Sequence, residues 1–245
     1  GAAAGRGARR RRGRAYRASG RTDLAMKDFE AALELDPKSA YALHNRGIAL
    51  HMKDEYDKAI ESYNAALSIE SDNSEIYLNR GLAFMAKDQL VSALVDFNKA
   101  IELDPKQDQA FYNRGEIYGK GEEYEKAIVE YSQALKLKPN DTDSYFARGL
   151  IYIEIDDFEN ALRDFNKVNE LSPKYKEAFD NRSMIFLEME KYDKAIADAG
   201  TSIRLGPNDT YAYEIRMQAY EAIGDARRAE LDRKKFAALQ KLKKP

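Results

Sequence analysis

The chain has no cysteine and no tryptophan among its 245 residues. Without cysteine there is no disulfide, no zinc–thiolate site and no thiol nucleophile. The absence does not fix the compartment, since a reducing cytosol and a cysteine-free periplasmic protein look alike. Histidine is almost as scarce. His44 and His51 are seven apart on what reads as one helix face, which is roughly 10.5 Å of rise and too far to share a metal ion. Neither has a carboxylate at Glu-x-x-His spacing, and no P-loop, nucleophile elbow or dinucleotide fingerprint is present. The expectation is a protein that is not an enzyme, with no metal and no cofactor. No apolar run approaches the ~18 residues of a transmembrane segment, and the early arginines are not followed by the apolar region of a signal peptide. The chain therefore reads as soluble, with the cytoplasm as first choice and a periplasmic or peripheral membrane location left open. Residues 1–5 read as a tag- or linker-like leader outside the fold.

What is present is periodic. Five of the six prolines are Pro37, Pro105, Pro139, Pro173 and Pro207, and the vacant slot at 34-residue spacing is Ser71. With that slot as column 32, repeats start at 6, 40, 74, 108, 142, 176 and 210 without insertion or deletion. Column 20 is then alanine seven times: Ala25, Ala59, Ala93, Ala127, Ala161, Ala195 and Ala229. Column 8 is Gly13, Gly47, Gly81, Gly115 and Gly149, then Ser183 and Met217. Column 24 is Phe29, Tyr63, Phe97, Tyr131 and Phe165, then Ala199 and Arg233. Columns 4, 8 and 11 recur at helical spacing on a first helix, and 17, 20, 24, 27 and 28 on a second. Small residues at 8 and 20 let two antiparallel helices cross closely, and rings at 11, 17 and 24 fill the remaining wedges. Proline at 32 ends the second helix, and polar clusters such as Pro139-Asn140-Asp141-Thr142 cap the next.

This pattern resembles the tetratricopeptide repeat (TPR) over residues 6 to about 243. The resemblance implies an all-α fold, a right-handed α-solenoid of antiparallel helix pairs, here one domain over 6–243. Its concave face is lined by first helices and receives a partner segment. The last helix, about 226–242, has Leu231, Phe236, Leu239 and Leu242 on one side and many basic residues elsewhere, as expected of a solvating cap. Repeat 6 is thin, with Ala199, Gly200 and Ser202 in its second helix. That predicts a looser or reshaped junction with repeat 7, where Tyr211 and Tyr213 can fill space.

Column 7 is arginine throughout: Arg12, Arg46, Arg80, Arg114, Arg148, Arg182 and Arg216. Column 23 is acidic in six repeats, with Ser62 the exception. The first reading is a structural ladder of Arg–carboxylate pairs bracing each repeat; the alternative is an anion-binding stripe. Column 6 is asparagine at Asn45, Asn79, Asn113 and Asn181. Resemblance to TPR superhelices such as that of the O-linked N-acetylglucosamine transferase implies an asparagine ladder that grips an extended peptide, since an amide both donates and accepts. The rest of the expected groove offers Tyr41, His44, Leu78, Leu82, Tyr112 and Phe146 as anchors, and turns acidic at Glu177, Asp180, Glu188, Glu214 and Glu221. Some of these residues can equally pack against neighbouring helices.

The implied partner is a peptide or helix with apolar anchors and some basic residues. A carboxylate clamp for the chaperones Hsp70 and Hsp90 is not expected, because of its five positions in repeats 1–3 only Asn45 matches and Glu75 would repel a carboxylate. Residues 6–17 hold seven arginines and no acid, which suits an acidic partner or anionic surface. No aromatic interleaving or base-reading motif accompanies them, so specific nucleic-acid recognition is not expected. The function expected is that of a protein-binding scaffold or adaptor. The alternatives are a structural subunit of a larger complex and a regulatory TPR module serving an enzyme on another chain.

Overall fold

The structure, a computed structural model, describes residues 22–242. The leader, the arginine-rich stretch at 6–17 and column 7 of repeat 1, Arg12, lie outside the described residues. Among those described there are thirteen helices and no strand. The helix of Thr22–Leu35 (α1) is the second of repeat 1. The pairs of repeats 2 and 3 are Ala40–His51 (α2) with Tyr56–Leu67 (α3), and Ser74–Ala86 (α4) with Leu90–Leu103 (α5). Repeat 4 contributes Asp108–Lys120 (α6) and Tyr124–Leu137 (α7). Then follow Thr142–Glu154 (α8) with Phe158–Leu171 (α9), Lys176–Glu188 (α10) with Tyr192–Leu205 (α11), and Thr210–Ala222 (α12) with Ala226–Leu242 (α13). The molecule is an all-α helical repeat.

Two compact units divide between Gly121 and Glu122, inside the span read from sequence as one solenoid and between the two helices of repeat 4. In the first, α1 to α6 pack consecutively and the first helices α2, α4 and α6 also touch. In the second, α7 to α13 pack consecutively and α10 touches α12.

The core follows the columns. All the described column-20 alanines are buried, and Phe29, Tyr63, Phe97 and Phe165 at column 24 are fully buried. In the first unit Tyr63 joins Leu43, Leu50, Leu67 and Ile76 in one cluster, and Phe97 joins Leu78, Ala110 and Ile117 in another. In the second, Phe165 packs with Val168, Ala178 and Ile185. Removing one such ring would cost about 3–5 kcal/mol.

Where column 32 is proline, the second helix ends two residues before it, at Leu35, Leu103, Leu137, Leu171 and Leu205. Repeat 2 has Ser71 there, and its helix ends earlier, at Leu67. Residues 68–73 form a longer connection through turn bonds, including Glu70 N–H to Ala66 C=O at 2.9 Å. This connection helps to shape the site described below.

Candidate functional site

In five of the repeats the column-7 arginine is anchored to column 23 of its own helix pair. Arg80 grips Asp96 with two parallel bonds of 2.8 and 2.7 Å. Arg148 holds Asp164 at 2.8 and 2.8 Å, Arg182 holds Asp198 at 2.6 and 2.6 Å, and Arg216 holds Asp232 at 2.8 and 2.7 Å. Planar fork-on-carboxylate geometry of this kind is the strong form of the pair. The carboxylates are buried and the guanidiniums half-buried. Where column 23 is Ser62, Arg46 Nε donates to Ser62 Oγ at 3.1 Å. The guanidiniums also lie against rings one turn away on either side, Arg80 on Tyr77 and Phe84 and Arg148 on Tyr145 and Tyr152.

A second anchor reaches back one repeat, to column 25. Arg80 Nη1 donates to Asn64 at 2.6 Å, Arg114 Nη1 to Asn98 at 2.7 Å, Arg148 Nη1 to Ser132 at 2.8 Å and Arg182 Nη1 to Asn166 at 2.6 Å. Sequence reasoning missed this column, although Asn64, Asn98 and Asn166 recur at the repeat period and that recurrence was the available signal. Repeat 6 has Gly200 there, and a β-carbon on it would stand 3.6 Å from Arg216 Nη1. The thin junction is filled instead by Ala199, Ala212 and Ile215. Tyr213 is buried beside it, whereas Tyr211 is exposed.

The asparagines of column 6 share one local geometry. Asn45, Asn79, Asn113 and Asn181 each donate Nδ2 to the carbonyl four residues back, at 2.8, 2.9, 2.6 and 2.8 Å. That bond fixes the amide plane. Asn79 Nδ2 also stands 3.0 Å from His44 Nε2, so the imidazole accepts there and carries its proton on Nδ1.

Of these, Asn45 and Asn79, with His44, meet in a cleft of about 710 Å³ between α2 and α4. Of the residues expected in a groove it brings together Tyr41, His44, Asn45 and Asn79, with Ile48 and Ile76 as apolar lining and Glu70, Asn73 and Glu75 at the polar side. Glu70, Asn73 and Ile76 were not anticipated. Two of them stand on the 68–73 connection, whose missing proline was the only sign in the sequence. Leu78 is buried in the Phe97 cluster and Leu82 packs against it. Phe146 packs on Phe165 and Tyr175, ring centroids 5.7 and 5.0 Å apart. Tyr112, Asn113 and Asn181 do not line the cleft.

In the second unit Lys176 pairs with Asp180 and Asp209. Tyr211 is 39% exposed, and the partial desolvation of its hydroxyl, with Asp180, Glu214 and Glu188 nearby, pushes it above its ordinary pKa. His51 packs edge-on against Tyr56, and burial pulls its imidazole below the usual value. Among the described residues no group of three or more His, Asp or Glu is placed to hold a metal ion, and no helix is long and apolar enough to cross a membrane.

Five family models, described as tetratricopeptide repeat or TPR repeat, match residues 10–75, 74–107, 97–129, 115–156 and 142–175. The chain belongs to the tetratricopeptide repeat family. No curated protein sequence matches it. Solved TPR structures do. PilF of Pseudomonas aeruginosa is 21% identical, with 88% of this chain and 98% of that one covered at a TM-score of 0.78, a likeness of fold alone. YrrB, described as a TPR protein with an unusual peptide-binding site, is 25% identical over 76% of this chain and 96% of its own, TM-score 0.65. MamA is 26% identical over 66% and 95%, TM-score 0.60. TPR arrays are in general protein-interaction modules, and the helix pairs described here form such a module.

Proposed function

We propose that this TPR array is a scaffold or adaptor that binds an extended peptide or helical segment of a partner protein along the first helices of repeats 2 and 3. The observation that carries the reading is the α2–α4 cleft. Its amides are pre-oriented by backbone bonds within the helix, so binding need not order them; Asn45 keeps one N–H and its oxygen, and Asn79 its oxygen, for a peptide unit, without reading its side chain. Tyr41 and Ile48, both partly exposed, supply apolar contact beside them. YrrB, with 25% identity, is described as a peptide-binding TPR protein, which supports the same use here. The test is selection from a random-peptide phage library, followed by anisotropy with the selected peptides. Asn45→Ala with Asn79→Ala should weaken binding at least about tenfold, as expected for loss of two or more hydrogen bonds, with helical circular dichroism unchanged. Undiminished binding by the double variant would remove the cleft from the mechanism.

A second reading, a subunit held permanently in an assembly, is favoured by one feature. Val91 and Val95 stand one turn apart on α5 and are 78% and 63% exposed, where repeat 2 carries Asp57 and Glu61.

A further inference from the structure

The last described helix, α13, differs in charge from every other second helix. It carries Arg227, Arg228, Arg233, Lys234, Lys235 and Lys241 against Glu230 and Asp232, whereas α1, α3, α5, α7, α9 and α11 each hold at least as many acids as bases. The whole chain has a formal net charge of −2, so the basic sign is local to this helix. Both of its acids are engaged: Asp232 is buried against Arg216, and Glu230 pairs with Arg233 at 2.6 Å and Lys234 at 3.7 Å. The second, independent observation is apolar. Leu231 and Leu242 are 60% and 81% exposed. Lys241 stands in column 32, where five other repeats have the proline that stops the helix, so α13 runs on to Leu242. Residues seven apart on a helix return to nearly the same side. Arg227, Lys234 and Lys241 form one such row, Leu231 and Ala238 the next, and Lys235 and Leu242 a third, all exposed. Each row is offset from the last by four residues, the spacing of surface neighbours, so the leucine row runs between cations. The helix packs on α12 and buries Ala229, Asp232 and Leu239, none of which belongs to these rows.

We propose that this face of α13 seats the protein on an anionic lipid bilayer. The helix lies along the surface, with Arg227, Lys234, Lys235 and Lys241 among the acidic headgroups and Leu231 and Leu242 at the edge of the acyl region. A helix that sets an apolar row among basic residues is built to lie in the interface rather than to span it, and no described helix is long and apolar enough to cross a membrane. Anionic lipid attracts each lysine or arginine held near its surface. An acidic protein surface would match the cations alone and leave the two leucines against carboxylates; a bilayer meets both. The long basic side chains can lay their stems beside the leucines and keep their charges at the headgroup level. The sequence reading gave an anionic surface to residues 6–17; α13 presents one at the other end of the array, on a face separate from the α2–α4 cleft.

The test is co-sedimentation of the full chain with vesicles of phosphatidylcholine alone or of phosphatidylcholine mixed with phosphatidylserine. The mixed vesicles should bind the protein, less so in high salt, and the neutral ones should not. Arg227→Gln with Lys234→Gln and Lys241→Gln removes three exposed cations. Each is expected to be worth roughly fivefold, so binding should fall about a hundredfold with helical circular dichroism unchanged. Seating of the leucines is read separately. The chain has no tryptophan, so Leu242→Trp supplies a single indole whose emission should shift to the blue on mixed vesicles and stay unshifted with polyglutamate. No binding to mixed vesicles overturns the proposal. Binding that survives the triple substitution belongs to another basic stretch, such as residues 6–17, and overturns it too. Binding without a blue shift, matched by equal binding to polyglutamate, would assign the face to an acidic protein instead of a bilayer.

Discussion

A β-carbon built on Gly81 would stand 2.6 Å from Phe97 Cε1, one on Gly47 2.5 Å from Tyr63 Cε1, and one on Gly149 2.9 Å from Phe165 Cε1. The glycine of column 8 and the ring of column 24 are thus one packing choice: the ring lies flat on the backbone that the glycine leaves bare. Repeats 6 and 7 show the converse. Where the ring is lost, at Ala199 and Arg233, the glycine is lost too, to Ser183 and Met217. Gly81→Ala should therefore destabilise the protein. Overpacking a filled site costs about 1–3 kcal/mol, which outweighs the ~1 kcal/mol that alanine gains over glycine in a helix. In a Phe97→Ala background the same substitution meets no ring, and its sign should reverse to a gain of up to about 1 kcal/mol. Urea midpoints of the four proteins, followed by circular dichroism, measure this coupling. An equal cost in both backgrounds would mean that the ring is not what demands the glycine.

The elements repeat their boundaries as well as their faces. Each turn from first to second helix places column 15 in the left-handed region: Asp54, Asp88, Glu122, Asp156 and Glu190 at φ 57–59°, and Gly224 at 78°. The N–H after it bonds to the column-11 carbonyl, as in Glu55 to Leu50 and Lys191 to Phe186, a Schellman closure. Column 15 escapes a reading by hydrophobic period because five of the six positions are acidic and look like ordinary surface. One second helix breaks its own pattern in the opposite way. Column 28 is Leu33, Leu67, Ile101, Leu135 and Ile203 in other repeats, but Asn169 on α9. Both polar atoms of the Asn169 side chain are buried without a hydrogen-bond partner. Asn169→Leu restores the column and removes that deficit, and should raise stability by about 1–3 kcal/mol. A differential scanning measurement that found an unchanged or lower Tm would show that the amide is satisfied in solution.

At the scale of the molecule, the helix pairs, their order and the family were legible in the sequence, because alanine at column 20 and proline at column 32 are local demands repeated without an indel. The site was legible only in part. Spacing put Asn45 and Asn79 in one column with Tyr41 and His44 nearby, and the family resemblance turned that column toward the groove, but Glu70 and Asn73 reach the cleft through a connection whose path no periodicity describes. Leu78 and Phe146 could not be told from groove anchors, since a first helix presents apolar residues both to its neighbours and to solvent. The same column logic bears on how damage spreads. Within each unit the described helices pack on those beside them in sequence, with α2–α4, α4–α6 and α10–α12 the added contacts between alternate helices, so stability is carried by nearest-neighbour terms. Arg182 joins three consecutive helices, to Asp198 on α11 and Asn166 on α9 from its own place on α10. Arg182→Ala would leave the buried Asp198 carboxylate without its partner, a cost of about 3–5 kcal/mol. That loss should appear as faster amide exchange in α9 to α12, with protection in α2 to α5 retained. Hydrogen–deuterium exchange read by mass spectrometry distinguishes the outcomes. A uniform loss of protection from α2 to α13 would mean that the array unfolds as one cooperative body and that the nearest-neighbour description fails.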